Sequence, residues 1–331
     1  MIRVTLIAFL LGVIGMSAAR AEIYELPPEG YDVIGAMSTV AARYEDTLLD
    51  IARRHGLGYE DIVRANPDVD TWVPGEGTEV VLPTRFVLPA GPRRGVVLNL
   101  AEYRMYYYPE PKDGEPAYVM TYPISIGRMD WETPLGMTKV ISKVRNPAWY
   151  PPESVREEHA ADGRPLGRIV PPGPDNPLGE FAMLLGLPGY LIHGTNRPAG
   201  VGMRVTHGCV RMFPEDIEYV FSQIGVDTPV RIINEPVKIG WEGERLVMEV
   251  HPVLEIVLPE SAEDSAEVDT AEEIVAKDAL TYVTEQFIAA TGERPGQLDW
   301  DLAESIVEKS DGVPITVGRS IKNAATSAAF Q

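Results

Sequence analysis

A single cysteine, Cys209, stands in this sequence of 331 residues. It follows Thr206-His207-Gly208, precedes Val210-Arg211, and lies sixteen positions after a second His-Gly pair, His193-Gly194. These residue types suit acyl transfer through sulfur. A free thiol with a pKa near about 8.5 is only a few per cent thiolate at neutral pH, so a nucleophilic sulfur needs an imidazole to take its proton. Gly208 allows a sharp turn beside the sulfur. The main-chain N–H groups of Gly208 and Cys209 would then face the oxygen that becomes negative in a tetrahedral intermediate, where one donor contributes about 3–4 kcal/mol. Arg211 is permanently charged and fork-shaped, as a substrate carboxylate requires. The Thr206 hydroxyl is placed to support the turn.

Duller explanations compete for the same residues. A zinc site would need four ligands for a structural role, and no second Cys accompanies Cys209. His55, His159 and His251 stand apart from the motif and are expected to be ordinary structural residues, while His207 suits a catalytic or a scaffolding role equally. Gly194, Gly200 and Gly202 are spaced loosely like a phosphate cradle, but no Lys-Ser/Thr follows them. The run Tyr106-Tyr107-Tyr108 could touch sugar rings, although strand packing explains it more simply.

The elements that must carry these residues are mainly strands. From Gly95 to about Asn234, β-branched and aromatic runs alternate with Gly, Pro, Asn and Asp clusters: 96–100, 104–108, 118–126, 137–144, 190–193 and 230–233. One helix interrupts them at about 214–224, with Ile217, Val220, Phe221 and Ile224 on one face. This 95–234 segment predicts a mainly β domain. Before it, residues 37–84 form a compact unit. Asp46 or Thr47 caps a helix that ends at Gly56 or Gly58, a second helix runs from Tyr59 to Ala65 and stops at Asn66-Pro67, and Glu79 to Leu82 reads as a strand. After it, residues 235–258 suggest two strands around Glu242-Gly243. An acidic, Ala-rich linker and a helical tail fill 259–331, with Thr270 and Glu273 as a capping box for a first helix carrying Ile274, Leu280, Val283 and Phe287. A second helix fits 299–308.

Bulk composition narrows the classes. With 49 acidic against 29 basic residues, the net charge is −20 and no dense Lys/Arg stripe exists, which excludes nucleic-acid binding by phosphate neutralisation. Residues 1–21 read as a signal peptide: Arg3, an apolar run from Val4 to Met16, and small residues up to Ala19-Arg20-Ala21. That run is shorter than the roughly 20 residues a span needs, so no membrane span is expected after cleavage. An exported chain normally pairs its thiols, and a lone one is an anomaly that chemistry would explain.

The stretch IHGTNRPAGVGMRVTHGCVRM, residues 192–212, resembles the catalytic signature of YkuD-type L,D-transpeptidases. The likeness extends upstream through Ser125-Ile126-Gly127-Arg128, Thr133-Pro134-Leu135-Gly136, Asn146-Pro147-Ala148-Trp149, Pro171-Pro172-Gly173-Pro174 and Asn176-Pro177-Leu178-Gly179. The chain resembles the ErfK/YbiS/YcfS/YnhG-like periplasmic group that carries an amino-terminal LysM domain. Residues 37–84, with Asp46-Thr47-Leu48, Ile51-Ala52, Asn66-Pro67, Pro74-Gly75 and Val80-Val81-Leu82-Pro83, themselves resemble a LysM domain, departing from it at Glu45. The resemblance implies a YkuD-like β-sandwich or barrel catalytic domain with a small α+β LysM domain and a carboxyl-terminal helical extension. It also implies Cys209 as nucleophile, His193 as its base, and the Gly194 carbonyl as the group that fixes the His193 tautomer.

The function so implied is a two-step transfer without cofactor or metal. Cys209 attacks a tetrapeptide stem of peptidoglycan, D-Ala leaves, and the thioester passes to an amine of a second stem or of an outer-membrane lipoprotein. Water as acceptor would make the chain an L,D-carboxypeptidase, and an inert scaffold binding glycan strands is the alternative from another class. Location in the periplasm is expected.

Overall fold

The structure is a computed structural model that describes residues 22–128, 133–254 and 278–321. The expected signal peptide, the acidic linker and the Thr270–Glu273 capping box lie outside the described residues.

The chain opens with β1 (Glu22–Glu25) and β2 (Val33–Gly35), then enters a small unit: β3 (Ser38–Ala41), α1 (Leu48–Arg54), α2 (Tyr59–Ala65) and β4 (Glu79–Leu82). Thr47 starts α1 with a reciprocal cap: its Oγ1 accepts from Asp50 N at 3.1 Å, and Asp50 Oδ2 accepts from Thr47 N at 3.0 Å. Asn66 stops α2 and ties its end to β4, donating to Ile62 O and Val81 O and accepting from Val81 N. β3 and β4 then pair antiparallel, Ser38 opposite Leu82. Strand β5 (Arg85–Val87) returns to β2.

The central domain contains β6 (Gly95–Asn99), β7 (Arg104–Tyr108), β8 (Tyr118–Pro123), β9 (Ile126–Gly127), β10 (Gly136–Arg145), α3 (Glu153–Ala161), β11 (Phe181–Leu185), β12 (Leu191–His193), β13 (Arg204–Thr206), β14 (Val210–Arg211), α4 (Pro214–Gln223) and β15 (Pro229–Ile233). Nine strands form one sheet in the order β1-β8-β7-β6-β15-β10-β11-β12-β14. The fold is mainly β, as expected. β6 and β7 are buried on both faces, which explains their unbroken apolar and aromatic composition. Met105 and Tyr107 enter the domain's own core, whereas Tyr106 and Tyr108 enter a second core shared with Leu48, Ile51 and Ile62 of the amino-terminal unit. The tyrosine run is therefore packing. Arg104 goes with it, buried against Asp61 of α2 and lying 4.3 Å from the centre of the Phe86 ring.

The carboxyl-terminal part differs from expectation. It contains β16 (Val237–Glu242), β17 (Arg245–Val250), α5 (Ala279–Thr291), β18 (Gly296–Leu298), α6 (Trp300–Lys309) and β19 (Ile315–Ser320). The helices expected near 274–287 and 299–308 exist as α5, capped by Asp278, and α6, capped by Asp299. They do not form a separate helical tail. β19 returns to pair with β17 and β18 in a four-stranded sheet, order β16-β17-β19-β18. Trp241, Leu246 and Met248 share one core with Tyr282, Val283, Ile306 and Val317. The expected β extension and tail are thus one α/β unit. The strands were hidden because β18 and β19 carry only Leu298, Ile315 and Val317 as apolar residues among Gly, Gln, Thr, Arg and Ser. Among the described residues no helix is long and apolar enough to cross a membrane.

Candidate active site

Cys209 lies between β13 and β14, at the edge of the large sheet. β14 pairs with β12 in parallel, placing Val210 opposite Ile192 and Arg211 opposite His193. The two halves of the motif are brought together by this single ladder. Residues in register point to one face of a sheet, so the His193 ring and the Arg211 side chain share a side.

Glycine and hydroxyl residues shape the turn. Gly208 adopts φ +92°, a conformation in the left-handed half of φ space that an L side chain rarely takes. Thr206, buried, donates from Oγ1 to Cys209 O at 2.6 Å, and Thr133, also buried, donates to Gly208 O at 2.8 Å. Both carbonyls are thereby occupied by side-chain hydroxyls. The N–H groups of Gly208 and Cys209 donate to no described residue. On the other side of the strand, Ser125 and Arg211 exchange main-chain hydrogen bonds of 2.8 and 3.0 Å.

His193 is buried, 4% exposed, and its Nδ1 lies 2.6 Å from Gly194 O. This contact puts the proton on Nδ1 and leaves Nε2 as the basic nitrogen. Burial, and then the nearby Arg211 charge, hold the imidazole pKa down at about 3, outweighing the Gly194 and Leu178 carbonyls that raise it. Cys209 is half-buried and free. Burial pushes its thiol above the ordinary value, against smaller lowering effects from the Leu191 main chain and Arg211. The resting pair is therefore neutral imidazole and neutral thiol. Sγ donates to Gly189 O at 3.5 Å, and no hydrogen bond joins it to His193 among the described residues.

His207 points elsewhere. Its Nε2 lies 3.0 Å from Glu158 Oε2 on α3, and Glu158 also accepts two hydrogen bonds from Arg128, of 2.9 and 3.0 Å. Those partners, Arg128 first, lower the Glu158 pKa to about 2. Arg211 is bordered by the turn Pro198–Gly200, and its Nε is buried without a partner among the described residues. Sequence reasoning missed Glu158, Thr133 and Ser125. Ser125 and Thr133, like Arg128, fall in the upstream motifs without a role assigned to them, and nothing in the spacing distinguishes Glu158 from the other acids of α3.

Behind the site, the connection from Asn146 to Glu180 is held by Asn176, fully buried, which donates to Pro147 O at 2.8 Å and accepts from Leu178 N at 2.9 Å. Gly179 then packs against the Gly194–Thr195 main chain, where a Cβ would lie 2.9 Å from Thr195 N. The amino-terminal unit reaches the other side. Tyr59 N and Glu60 N at the start of α2 donate to Val201 O and Gly202 O at 3.0 and 3.3 Å, and Arg53 makes a bidentate pair with Glu215 of α4 at 2.7 and 2.8 Å.

The YkuD family, described as the L,D-transpeptidase catalytic domain, matches residues 93–232. The chain is 36% identical to the Probable L,D-transpeptidase YcfS of Escherichia coli (strain K12) over 91% of this chain and 90% of that protein. It is 40% identical to the Probable L,D-transpeptidase YbiS of the same strain over 75% of this chain and 81% of that one. Among solved structures, the catalytic domain from the E. faecium L,D-transpeptidase is 23% identical, with 42% of this chain and 96% of that chain covered at a TM-score of 0.31. The sequence matches alone, spanning nine-tenths of both chains in the first case, establish that this chain belongs to the L,D-transpeptidase family.

Proposed function

We propose that the chain is a peptidoglycan L,D-transpeptidase in which Cys209 is the acylated nucleophile and His193 its base. The observation that carries this reading is the β12–β14 ladder, which sets a neutral, buried imidazole with a fixed tautomer beside the strand that directly follows the only thiol. Rotation of the Cys209 side chain away from Gly189 O toward His193 Nε2 precedes attack. Sγ then bonds to the carbonyl carbon of the L-centre that bears the terminal D-Ala, and its proton passes to Nε2. The N–H groups of Gly208 and Cys209, which donate to no described residue, receive the oxyanion. Collapse expels D-Ala, which takes the proton from His193, and leaves a thioester. An amine of a second stem, or of a lipoprotein, attacks that thioester and restores the thiol.

With both groups neutral at rest, proton transfer accompanies attack instead of preceding it. Gly194 acts through its carbonyl and Thr206 through its grip on the turn. His207, bound to Glu158, fits a scaffolding role that joins α3 to the catalytic turn. Arg211 binds a substrate carboxylate.

The amino-terminal unit is a LysM-like module that holds glycan strands. Support comes from its βααβ order and from Tyr44 and Trp72, 83% and 62% exposed on the two loops that flank its helices. Exposed aromatic faces of this kind suit sugar rings. Residues 1–21 direct export, and the mature chain works in the periplasm.

Incubation with disaccharide-tetrapeptide, with and without an amine acceptor, tests the reading by mass spectrometry. A Cys209 acyl adduct and an amine-dependent product are expected, both absent in Cys209→Ala. Release of D-Ala with no amine-linked product would identify a carboxypeptidase instead. Identical behaviour of Cys209→Ala and wild type would remove the enzymatic proposal.

A further inference from the structure

Arg211 lies close to the candidate nucleophile, and a second arginine, Arg197, begins the turn that borders Arg211; no role has so far been given to Arg197. The turn Pro198–Gly200 borders Arg211 so closely that a Cβ on Gly200 would lie 3.6 Å from Arg211 Nη1. Arg197 begins this turn. Its main-chain N–H donates to the buried Thr195 hydroxyl at 2.9 Å, and its carbonyl accepts from Gly200 N at 3.3 Å. Ser125 Oγ clamps the far end by donating to Gly200 O at 2.6 Å. Arg197 is thus held at a fixed root while its side chain remains exposed.

Among the described residues the pair has no acidic partner. Burial, and then the charge of Arg197, depress the pKa of Arg211. No carboxylate lies within 4.0 Å of either guanidinium among the described residues. The chain carries 49 acids against 29 bases, so two neighbouring cations with no acid between them among the described residues run against its composition. Like charges placed together repel, and an anion bound between them relieves that repulsion.

We propose that Arg197 joins Arg211 in a two-pronged receptor for the carboxylate of the residue that leaves the donor peptide. This inference rests on the transpeptidase reading above. The reach fits. Arg211 lies two residues beyond Cys209, roughly 6–7 Å along a strand. The carboxylate of the leaving residue lies about one residue, roughly 4 Å, beyond the attacked carbonyl. Two guanidinium forks accept a carboxylate through paired charge-assisted hydrogen bonds, which an ammonium does not reproduce. A bound carboxylate also offsets the positive field that Arg211 imposes on His193, so the base gains strength when the donor is in place.

The test compares two donors, disaccharide-tetrapeptide with its free carboxylate and the same compound as the terminal carboxamide, on wild type, Arg197→Gln and Arg197→Lys. Arg197→Gln should lower kcat/KM for the acid about tenfold, mainly through KM, as loss of a charge-assisted contact does. It should change the value for the amide by less than about twofold, because the amide has no charge to lose. Arg197→Lys should fall between. An equal loss on both donors, or none on either, overturns the receptor while leaving the Cys209 reading intact. Failure of the wild type to turn over the acid removes both.

Discussion

Gly58 and Gly202 meet face to face: a Cβ on Gly58 would lie 2.7 Å from Gly202 Cα, and one on Gly202 would lie 2.5 Å from Gly58 Cα. The first glycine opens α2 in the amino-terminal unit, and the second lies in the loop that leads into the catalytic turn. Their close approach allows Tyr59 N and Glu60 N to reach Val201 O and Gly202 O. The amino-terminal unit therefore braces the loop that leads into the turn carrying Cys209.

Gly202→Ala tests this contact. The position has φ +87°, so alanine meets both backbone strain and a clash with main-chain atoms that cannot swing away. Stability should fall by about 1–3 kcal/mol, measured by urea unfolding, as overpacking does. Gly77, at φ +81° with open space around it, is the control for strain alone. Gly77→Ala should lose about 1 kcal/mol and retain activity, whereas Gly202→Ala should also lose kcat/KM about tenfold or more by displacing the loop.

The Thr206 hydroxyl should matter for the turn. Thr206→Val keeps the shape and removes the 2.6 Å bond to Cys209 O, leaving that carbonyl without its partner. A loss of about 1–3 kcal/mol in unfolding free energy is expected, with Thr206→Ser losing less. Equal stability of the valine variant and wild type would show that the hydroxyl does not hold the turn.

The sequence made these local features legible because short-range chemistry decides them. Thr47, one of two expected caps, opens α1, Asn66-Pro67 ends its successor, and His193 and Cys209 stand out as candidates by residue type. The β12–β14 ladder was not legible, since strands of two and three residues have no periodicity to read. Tyr106 and Tyr108 were likewise ambiguous until a second layer covered them. Glu158 stayed hidden for a different reason: its meaning depends on α3 lying against His207 and Arg128, a contact between residues 30 to 49 positions apart.

That contact makes its own prediction. Arg128 and Glu158 are each about one-third exposed, so Glu158→Gln should change global stability by less than about 1 kcal/mol. Its local effect should be larger. With the Glu158 bonds to Arg128 and His207 both lost, limited proteolysis should cut the Asn146–Glu180 connection sooner than in wild type, while the rest of the chain stays protected.

Asp216, buried in the first turn of α4, is held at a pKa of about 7 by burial and then by the Glu215 charge, with Arg104 and Arg53 opposing. Its folded pKa exceeds the unfolded value, so the folded state binds the extra proton. The stabilisation is full below about pH 4 and is lost as pH rises toward 7. Asp216→Asn removes that dependence. Relative to wild type, the variant should gain up to about 1.4 kcal/mol per pH unit between pH 4.5 and 6.5 in urea unfolding. His193 has the opposite sign, its folded pKa of about 3 being depressed. His193→Gln should therefore gain on wild type as pH falls from 6.5 toward 3.

The resting state of the thiol provides the sharpest test of how His193 works. If Cys209 were held as a thiolate by an imidazolium, alkylation by iodoacetamide would be fast and nearly independent of pH down to about 5. The geometry gives the contrary expectation. Sγ donates to Gly189 O, burial raises the thiol pKa, and the imidazole is neutral above about pH 3. Alkylation should accordingly rise with pH through 8 and 9 without a plateau, and His193→Gln should leave that profile nearly unchanged. Acyl transfer from a tetrapeptide should nevertheless fall about 10²–10⁴-fold in the same variant, the range removed with a general base. A base that is silent toward a small alkylating agent and indispensable toward substrate is one that takes its proton only during attack. A flat alkylation profile that collapses in His193→Gln would instead place the ion pair in the resting enzyme.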